Sequence, residues 1–370
     1  NRLSCTIRRN CGDQIGDMKY EPLTDYNIME FWLFDTCNFR CGYCSLVTTG
    51  VAANVHELAK FRDQGFISSL LKFFKSNRPG QRPWSVSMTG GEPMLMPNID
   101  AFVRGLGELG DNVSIYTNMS VAFREVFTDS AAKYISYVEA SFHPDWHMGN
   151  FGRERFFRNV RELIDLGIPA VVRFVGSPYL LDLLSELQEC CRDIGVSLLA
   201  TTLFNEHYPA KYTPEERSLL GSFTVGYSSL VQLDGGLDMR GHTCLAGSRL
   251  YACRVSKGGD ITPCISTEKP ILGNVFDNRL ESREGPTGCF RSDQVCTCDI
   301  HFQQKIVPDA DDSVEFTHIL EGRGANRIAE YDNWKSEHRL LTTDESWTGQ
   351  GAPVPRKKDL LLKLRRVRKR

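Results

Sequence analysis

Cys37-Asn38-Phe39-Arg40-Cys41-Gly42-Tyr43-Cys44 places three thiols within eight residues. A 4Fe-4S cubane normally takes four protein thiolates. Held by three, it keeps one iron with an open position, and an open position on a metal is where chemistry occurs rather than structural closure. Zinc is a competing occupant, because three or four cysteines at short spacing also hold a structural zinc. A zinc knuckle wants a fourth Cys or His close by, and the nearest, His56, lies in a helix-like stretch after the loop. A disulfide is a weaker alternative, since the chain opens Asn1-Arg2-Leu3-Ser4-Cys5 with no apolar signal segment.

The flanks sharpen the picture. Upstream, Tyr26-Asn27-Ile28-Met29-Glu30-Phe31-Trp32-Leu33-Phe34-Asp35 is aromatic and apolar and reads as a buried strand, so the cysteines occupy the loop that leaves it. In α/β barrels such loops at the C-terminal strand ends build the active site. Downstream, Trp84-Ser85-Val86-Ser87-Met88-Thr89 reads as a second strand running into Gly90-Gly91-Glu92-Pro93. Two glycines allow close backbone approach to a ligand, Glu92 can accept from an ammonium group, and Pro93 stiffens the exit. Alone, this tetrapeptide is equally an ordinary strand-to-helix turn.

Together the two motifs resemble the radical S-adenosylmethionine (radical SAM) enzymes. The resemblance implies a 4Fe-4S cluster on Cys37, Cys41 and Cys44, with S-adenosylmethionine chelated at the open iron and cleaved by one electron to a 5′-deoxyadenosyl radical. It also implies that Tyr43 lies beside the adenine and that Gly90, Gly91, Glu92 and Pro93 hold the methionine amino group. Apolar runs at residues 113–118, 137–143, 170–175 and 196–201 read as four further strands, with helix-like segments near 54–75, 98–109, 121–133, 153–166 and 179–194. Six strand-helix units suit a partial, open (β/α)6 TIM-like barrel better than a closed eight-stranded one of ~250 residues. The resemblance implies the same α/β fold class.

Polar residues near the strand ends are candidate cofactor contacts: Asn118, Ser141, and Arg153 or Arg173 for the cofactor carboxylate. Similar enzymes place a fourth-strand Ser on the cofactor. His143 is either a substrate contact or a turn residue before Pro144.

Thirteen cysteines are many for a reduced chain, and six of them fall between Cys244 and Cys298. The stretch Cys244 to Cys264 contains an alternating strand, a Lys257-Gly258-Gly259-Asp260 turn and a short return strand. It resembles the SPASM or twitch extension of radical SAM enzymes, where a Cys, a turn Gly and a second Cys five residues on bind an auxiliary 4Fe-4S cluster. The resemblance implies one such cluster on Cys244, Cys264, Cys296 and Cys298, with Cys289 as an alternative ligand; a four-cysteine zinc would look the same in sequence. Cys253 is either a buried small residue or a hydrogen-atom donor to a substrate radical.

Net charge is −2 over 370 residues and no apolar run spans a bilayer, which points to a cytoplasmic enzyme that does not bind nucleic acid. The expected organisation is an arm (1–25), a partial barrel (26–215), a linker (216–240), an auxiliary-cluster domain (241–305) and an extension (306–370). That extension ends in nine basic residues among leucines after Pro355, which read as a peripheral membrane contact or a solvated tail. The resemblance further implies an electron donor such as flavodoxin or ferredoxin, and a substrate that is a peptide or a small carbohydrate. Only about 25 residues precede the first strand, too few for a leader-binding core, and Ile265 stands where sulfatase-maturing enzymes have Asp. Both favour a sugar or cyclitol that is epimerised or dehydrogenated. The alternative from another class is an interaction module whose metals are structural.

Overall fold

A computed structural model describes residues 26–44, 46, 56–149, 152–203, 212–223, 237–238, 243–265, 269–285, 287–288 and 295–296. Cys5, Cys11, Cys289, Cys298 and the basic tail lie outside the described residues. Six strands, β1 (Asn27–Trp32), β2 (Trp84–Thr89), β3 (Asn112–Thr117), β4 (Ile135–Phe142), β5 (Ala170–Gly176) and β6 (Ser197–Thr202), pair in parallel in chain order. Helices α1 (Gln64–Ser76), α2 (Ile99–Glu108), α3 (Arg153–Asp165) and α4 (Leu184–Ile194) connect them, and α5 (Pro214–Phe223) follows β6. This is the α/β arrangement of an open (β/α)6 barrel, with five strands within two residues of their expected bounds and β1 ending at Trp32, three residues short of the expected Asp35. The stretch expected as a linker begins inside α5.

Two expected helices are broken, the first at Asp63, which is extended between a short helical stretch at 56–62 and α1. Residues 121–133 form a 3-10 turn at Phe123–Glu125 and a single helical turn at Asp129–Ala132. Between them Thr128 is extended, because its N–H and its hydroxyl both donate to Asp100 of α2, at 2.8 and 2.7 Å.

The two faces of the sheet differ in chemistry. Met29, Phe31, Val86, Met88, Ile115, Val138 and Val172 join one core with the helix residues Leu70, Phe74, Phe102, Val160 and Leu184. Side chains alternate along a strand, so the register assigns Glu30, Ser87, Ser114 and Tyr137 to the opposite, inner face. Tyr116, Glu139, Ser141 and Arg173 share that face. A parallel strand packed by apolar layers on both sides reads as a near-continuous hydrophobic run. Here the inner face is mixed, its polar side chains standing among Ile28, Val171 and Leu199.

The predicted hairpin is present, and it extends the same sheet. β7 (Leu250–Arg254) lies parallel to β1, and β8 (Asp260–Thr262) returns antiparallel to it. Gly258 and Gly259, with φ of +86° and +79°, make the turn. Two short strands, β9 (Gly273–Asn274) and β10 (Arg279–Leu280), complete ten strands in this sheet.

At the C-terminal strand ends the exits of β1 and β2 run against each other. Gly91 N–H donates to Phe34 O at 2.7 Å and Glu92 N–H to Thr36 O at 3.0 Å. A Cβ on Gly91 would stand 1.9 Å from Thr36 O, and one on Gly90 2.5 Å from Phe34 O. The paired glycines are therefore a steric requirement. Gly91→Ala should cost about 2 kcal/mol or more through forced backbone separation, lowering the thermal midpoint by roughly 5 °C. An unchanged midpoint in a calorimetric scan would show that these loops are not packed this tightly.

Candidate active site

The cysteine loop leaves β1 and folds into an apolar cup. Cys41 is buried and Cys37 and Cys44 are half-buried, in one cluster with Phe39, Tyr43, Trp146 and Leu203. Phe39 stacks on Trp146, with ring centres 5.0 Å apart. The loop is turned by Cys44 N–H donating to Cys41 O, and Phe39 N–H points at Cys37 Sγ, 3.3 Å away. Burial pushes the Cys37 thiol up to about 11 and raises Cys41 as well, with Cys44 adding repulsion to both. Such thiols stay protonated until positive charge stands among them, and metal binding is what deprotonates a coordinating thiol.

The donor set fits an iron-sulfur cluster better than a lone ion. Among the described residues no three His, Cys, Asp or Glu side chains converge on one point. A cluster offers each of three thiolates a separate iron. His56, the only nearby histidine in the sequence, is exposed on its own short helix.

Glu92 does not offer its carboxylate outward. It is 1% exposed and takes three donors: Met94 N–H (3.0 Å) and the Thr117 hydroxyl (2.7 Å) on Oε1, and Asn118 N–H (2.7 Å) on Oε2. Three of its acceptor positions are filled from its own loop and from the exit of β3, which leaves at most one, on Oε2, for a further donor. Burial pushes its carboxyl up to about 7, against the three hydrogen bonds that favour the anion.

The exits of β3 and β4 complete the site. Asn118 Nδ2 donates to Asn38 Oδ1 at 3.0 Å and lies 3.8 Å from Cys37 Sγ; Asn38 in turn donates to the Ser120 hydroxyl at 2.8 Å. Met119, between them, has φ +51°, and Asn159 of α3 donates to its carbonyl at 2.9 Å. A non-glycine residue in this region persists only where its surroundings hold it. On the other side His143 Nδ1 meets the Tyr43 hydroxyl at 2.6 Å. Burial lowers His143 to about 4 and His147 to about 3, so both rings are neutral near pH 7.

Tyr43, Gly90 to Pro93, Asn118 and His143 thus come together around the triad. Ser141 and Arg173 stand in register one step inside, on the inner face, where Arg173 pairs with Glu139 at 2.8 Å. Arg153 belongs to the helix layer and pairs with Glu186 of α4. Cys253 is fully buried in register with Phe31, on the helix-packed face, its thiol 3.6 Å from Gly259 O. A hydrogen-donor role for it finds no geometric support, because a substrate on the inner face would meet Ala252 and Arg254 instead. Cys244 is buried and Cys264 half-buried; Cys296 is described only as backbone, paired with Leu237. Sequence reasoning missed Asn38, Thr117, Met119, Asn159 and His147. Of these only His147, four residues after His143, carried a local signal.

Residues 33–189 match the model of the Radical SAM superfamily. The match supports a radical SAM assignment, and that family implies S-adenosylmethionine and a 4Fe-4S cluster. The chain is 32% identical over 133 residues to a GTP 3',8-cyclase of Listeria monocytogenes serotype 4b, covering 34% of this chain and 37% of the relative. It is 32% identical over 102 residues to a 7-carboxy-7-deazaguanine synthase of Thermoplasma acidophilum, covering 27% and 43%. The matched stretch thus spans well under two thirds of either relative. Among solved structures, Streptococcus suis SuiB bound to S-adenosylmethionine aligns with a TM-score of 0.46 and 16% identity, over 69% of this chain and 64% of that one.

The Glu92 carboxyl gives the site a pH signature. With its folded value raised, the folded chain keeps a proton that the unfolded chain has released, so Glu92 loses stability as pH rises from its ordinary value through about 7. The two histidines act oppositely, losing stability as pH falls below their ordinary value. Comparison with Glu92→Gln cancels the histidine contribution. From pH 5.5 to 8 the wild type should lose about 2 kcal/mol relative to that variant in urea unfolding; a constant difference would mean that Glu92 is ionised throughout.

Proposed function

We propose that this chain is a radical SAM enzyme that holds a 4Fe-4S cluster on Cys37, Cys41 and Cys44, binds S-adenosylmethionine beside it, and takes a hydrogen atom from a small hydroxyl-rich substrate of the sugar or cyclitol type. The observation that carries the reading is the juxtaposition of the thiol loop with Gly90–Glu92 through the Phe34 and Thr36 carbonyls. When bound, the cluster supplies the electron that splits the sulfonium to a 5′-deoxyadenosyl radical. The chain's own residues bind and exclude water. The apolar cup of Phe39, Trp146 and Leu203 keeps solvent from the triad, and Tyr43, held by His143, gives an aromatic face for the adenine. The strand end at Gly90 to Pro93 receives the methionine moiety.

The polar inner face supports the substrate class. Tyr116 and Tyr137 hydroxyls meet at 3.0 Å, Ser87 and Ser114 at 3.1 Å, and Glu139 neutralises Arg173. Such a surface offers paired donors and acceptors with little net charge, which suits hydroxyl groups. A second reading, a purine nucleotide, is favoured by the GTP 3',8-cyclase match. A peptide substrate is the third arm of the test.

The reading extends to an auxiliary cluster on Cys244, Cys264, Cys296 and Cys298, with Cys289 as alternative. Its support is the backbone pairing of Thr243–Cys244 with Thr287–Gly288 and of Leu237–Asp238 with Val295–Cys296. These antiparallel ladders set Cys244 opposite Thr287 and Cys296 opposite Leu237; they join the two segments, and the choice of ligands rests on the cysteine spacing.

Anaerobic reconstitution with iron and sulfide should load about eight irons per chain if two cubanes form, and about four in the Cys37→Ala, Cys41→Ala, Cys44→Ala triple variant. Dithionite and S-adenosylmethionine should then yield 5′-deoxyadenosine with the wild type only. Equal yields from both proteins, or none from fully loaded wild type, would overturn the reading. Deuterium transfer from labelled neutral sugars, nucleotides or peptides into 5′-deoxyadenosine, read by mass spectrometry, decides the substrate class.

A further inference from the structure

His147 is not explained by packing. It is 2% exposed, and its ring is surrounded by Phe39, Phe142 and Phe156 at centre-to-centre distances of 5.2, 5.0 and 4.6 Å. That cage would accept a phenylalanine. An imidazole there has to satisfy two ring nitrogens, and both are satisfied by backbone. His143 N–H donates to His147 Nδ1 at 2.8 Å, and His147 Nε2 lies 3.1 Å from Asn118 O. A backbone N–H can only donate, so Nδ1 is the acceptor and the ring proton resides on Nε2, donated to the carbonyl. The surroundings leave one neutral tautomer.

The two backbone partners are the residues whose side chains reach the two ends of the cysteine loop. Asn118 lies against Cys37 and Asn38. His143 holds the hydroxyl of Tyr43, the residue before Cys44. A continuous path therefore runs from Cys37 through Asn118, the His147 ring and His143 to Tyr43, spanning the exits of β3 and β4.

We propose that His147 is a positioning residue that fixes the separation between the Cys37 end and the Cys44 end of the triad loop, and so the direction in which the open metal position faces Gly90 to Pro93. The proposal rests on the cluster reading above. Without the bridge the three thiols still bind a cluster, since none of them depends on His147 for its own hydrogen bonds. What is lost is the alignment of the loop with the strand end that Glu92 ties to Asn118.

Two variants of the full chain test this. His147→Phe keeps the ring volume and removes both hydrogen bonds; His147→Gln restores an amide donor at about the reach of Nε2. After anaerobic reconstitution, three readouts are taken: iron content, equilibrium dialysis with S-adenosylmethionine, and the electron paramagnetic resonance spectrum of the reduced cluster with and without that ligand. His147→Phe should load wild-type iron, bind S-adenosylmethionine about tenfold more weakly, and lose most of the ligand-induced spectral change. His147→Gln should recover the greater part of both. Wild-type affinity and spectra in His147→Phe would overturn the proposal. So would a joint fall in iron content and thermal midpoint with no recovery in His147→Gln, which would assign the ring to packing alone. A wild type that takes up no cluster would instead overturn the function beneath it.

Discussion

Everything at the site depends on how closely two backbones meet. The exits of β1 and β2 touch at Gly91 and Thr36 with no room for a Cβ. Parallel strands leave a sheet side by side, and the chain diverges unless something holds the exits together. Here two backbone hydrogen bonds, Gly91 to Phe34 and Glu92 to Thr36, do so just before Cys37. The first cysteine is thereby fixed against the second strand's loop. A side chain at either glycine would push the thiols away from the loop that faces them.

Glu92 carries that contact across to the third strand. A buried carboxylate without partners costs several kcal/mol, and this one is offset by Met94, Thr117 and Asn118. Burial still holds its proton affinity high, while burial lowers that of His143 and His147. Near pH 7 both imidazoles are therefore neutral and Glu92 is only partly ionised, so these three groups bring little fixed charge to the cup. Charge introduced by a metal or a sulfonium would therefore be poorly screened there and would dominate the local field.

How much of this was legible in sequence follows from the range of each interaction. The six strands, the hairpin and the triad were legible because alternation, Gly-Gly turns and Cys spacing are local. The break near Thr128 was not, since it depends on Asp100 in another helix. The bonds that Glu92 accepts from Thr117 and Asn118 were hidden for the same reason: those donors come from β3 and its exit, some 25 residues away. Cys253 was ambiguous because a strand's two faces cannot be told apart until its neighbour is known, and that neighbour is β1, more than 200 residues earlier. The auxiliary cysteines had a spacing signal, but Cys289 and Cys298 lie outside the described residues.

The parallel pairing of β7 with β1 has a consequence for the inner face. It covers the β1 edge and adds Ala252 and Arg254 to the inner face next to Glu30 and Trp32. Arg254 sits over the Trp32 ring, 5.3 Å from its centre. The inner face is thus bounded by a cationic wall at β7 and by the neutralised Glu139–Arg173 pair at β4 and β5. The triad and the glycine loop lie at the strand ends, and the polar residues between these two boundaries lie on the strands beneath them. The polar residues of the inner face therefore lie on strands, where packing holds them in place, while the cysteine and glycine motifs lie on the loops above.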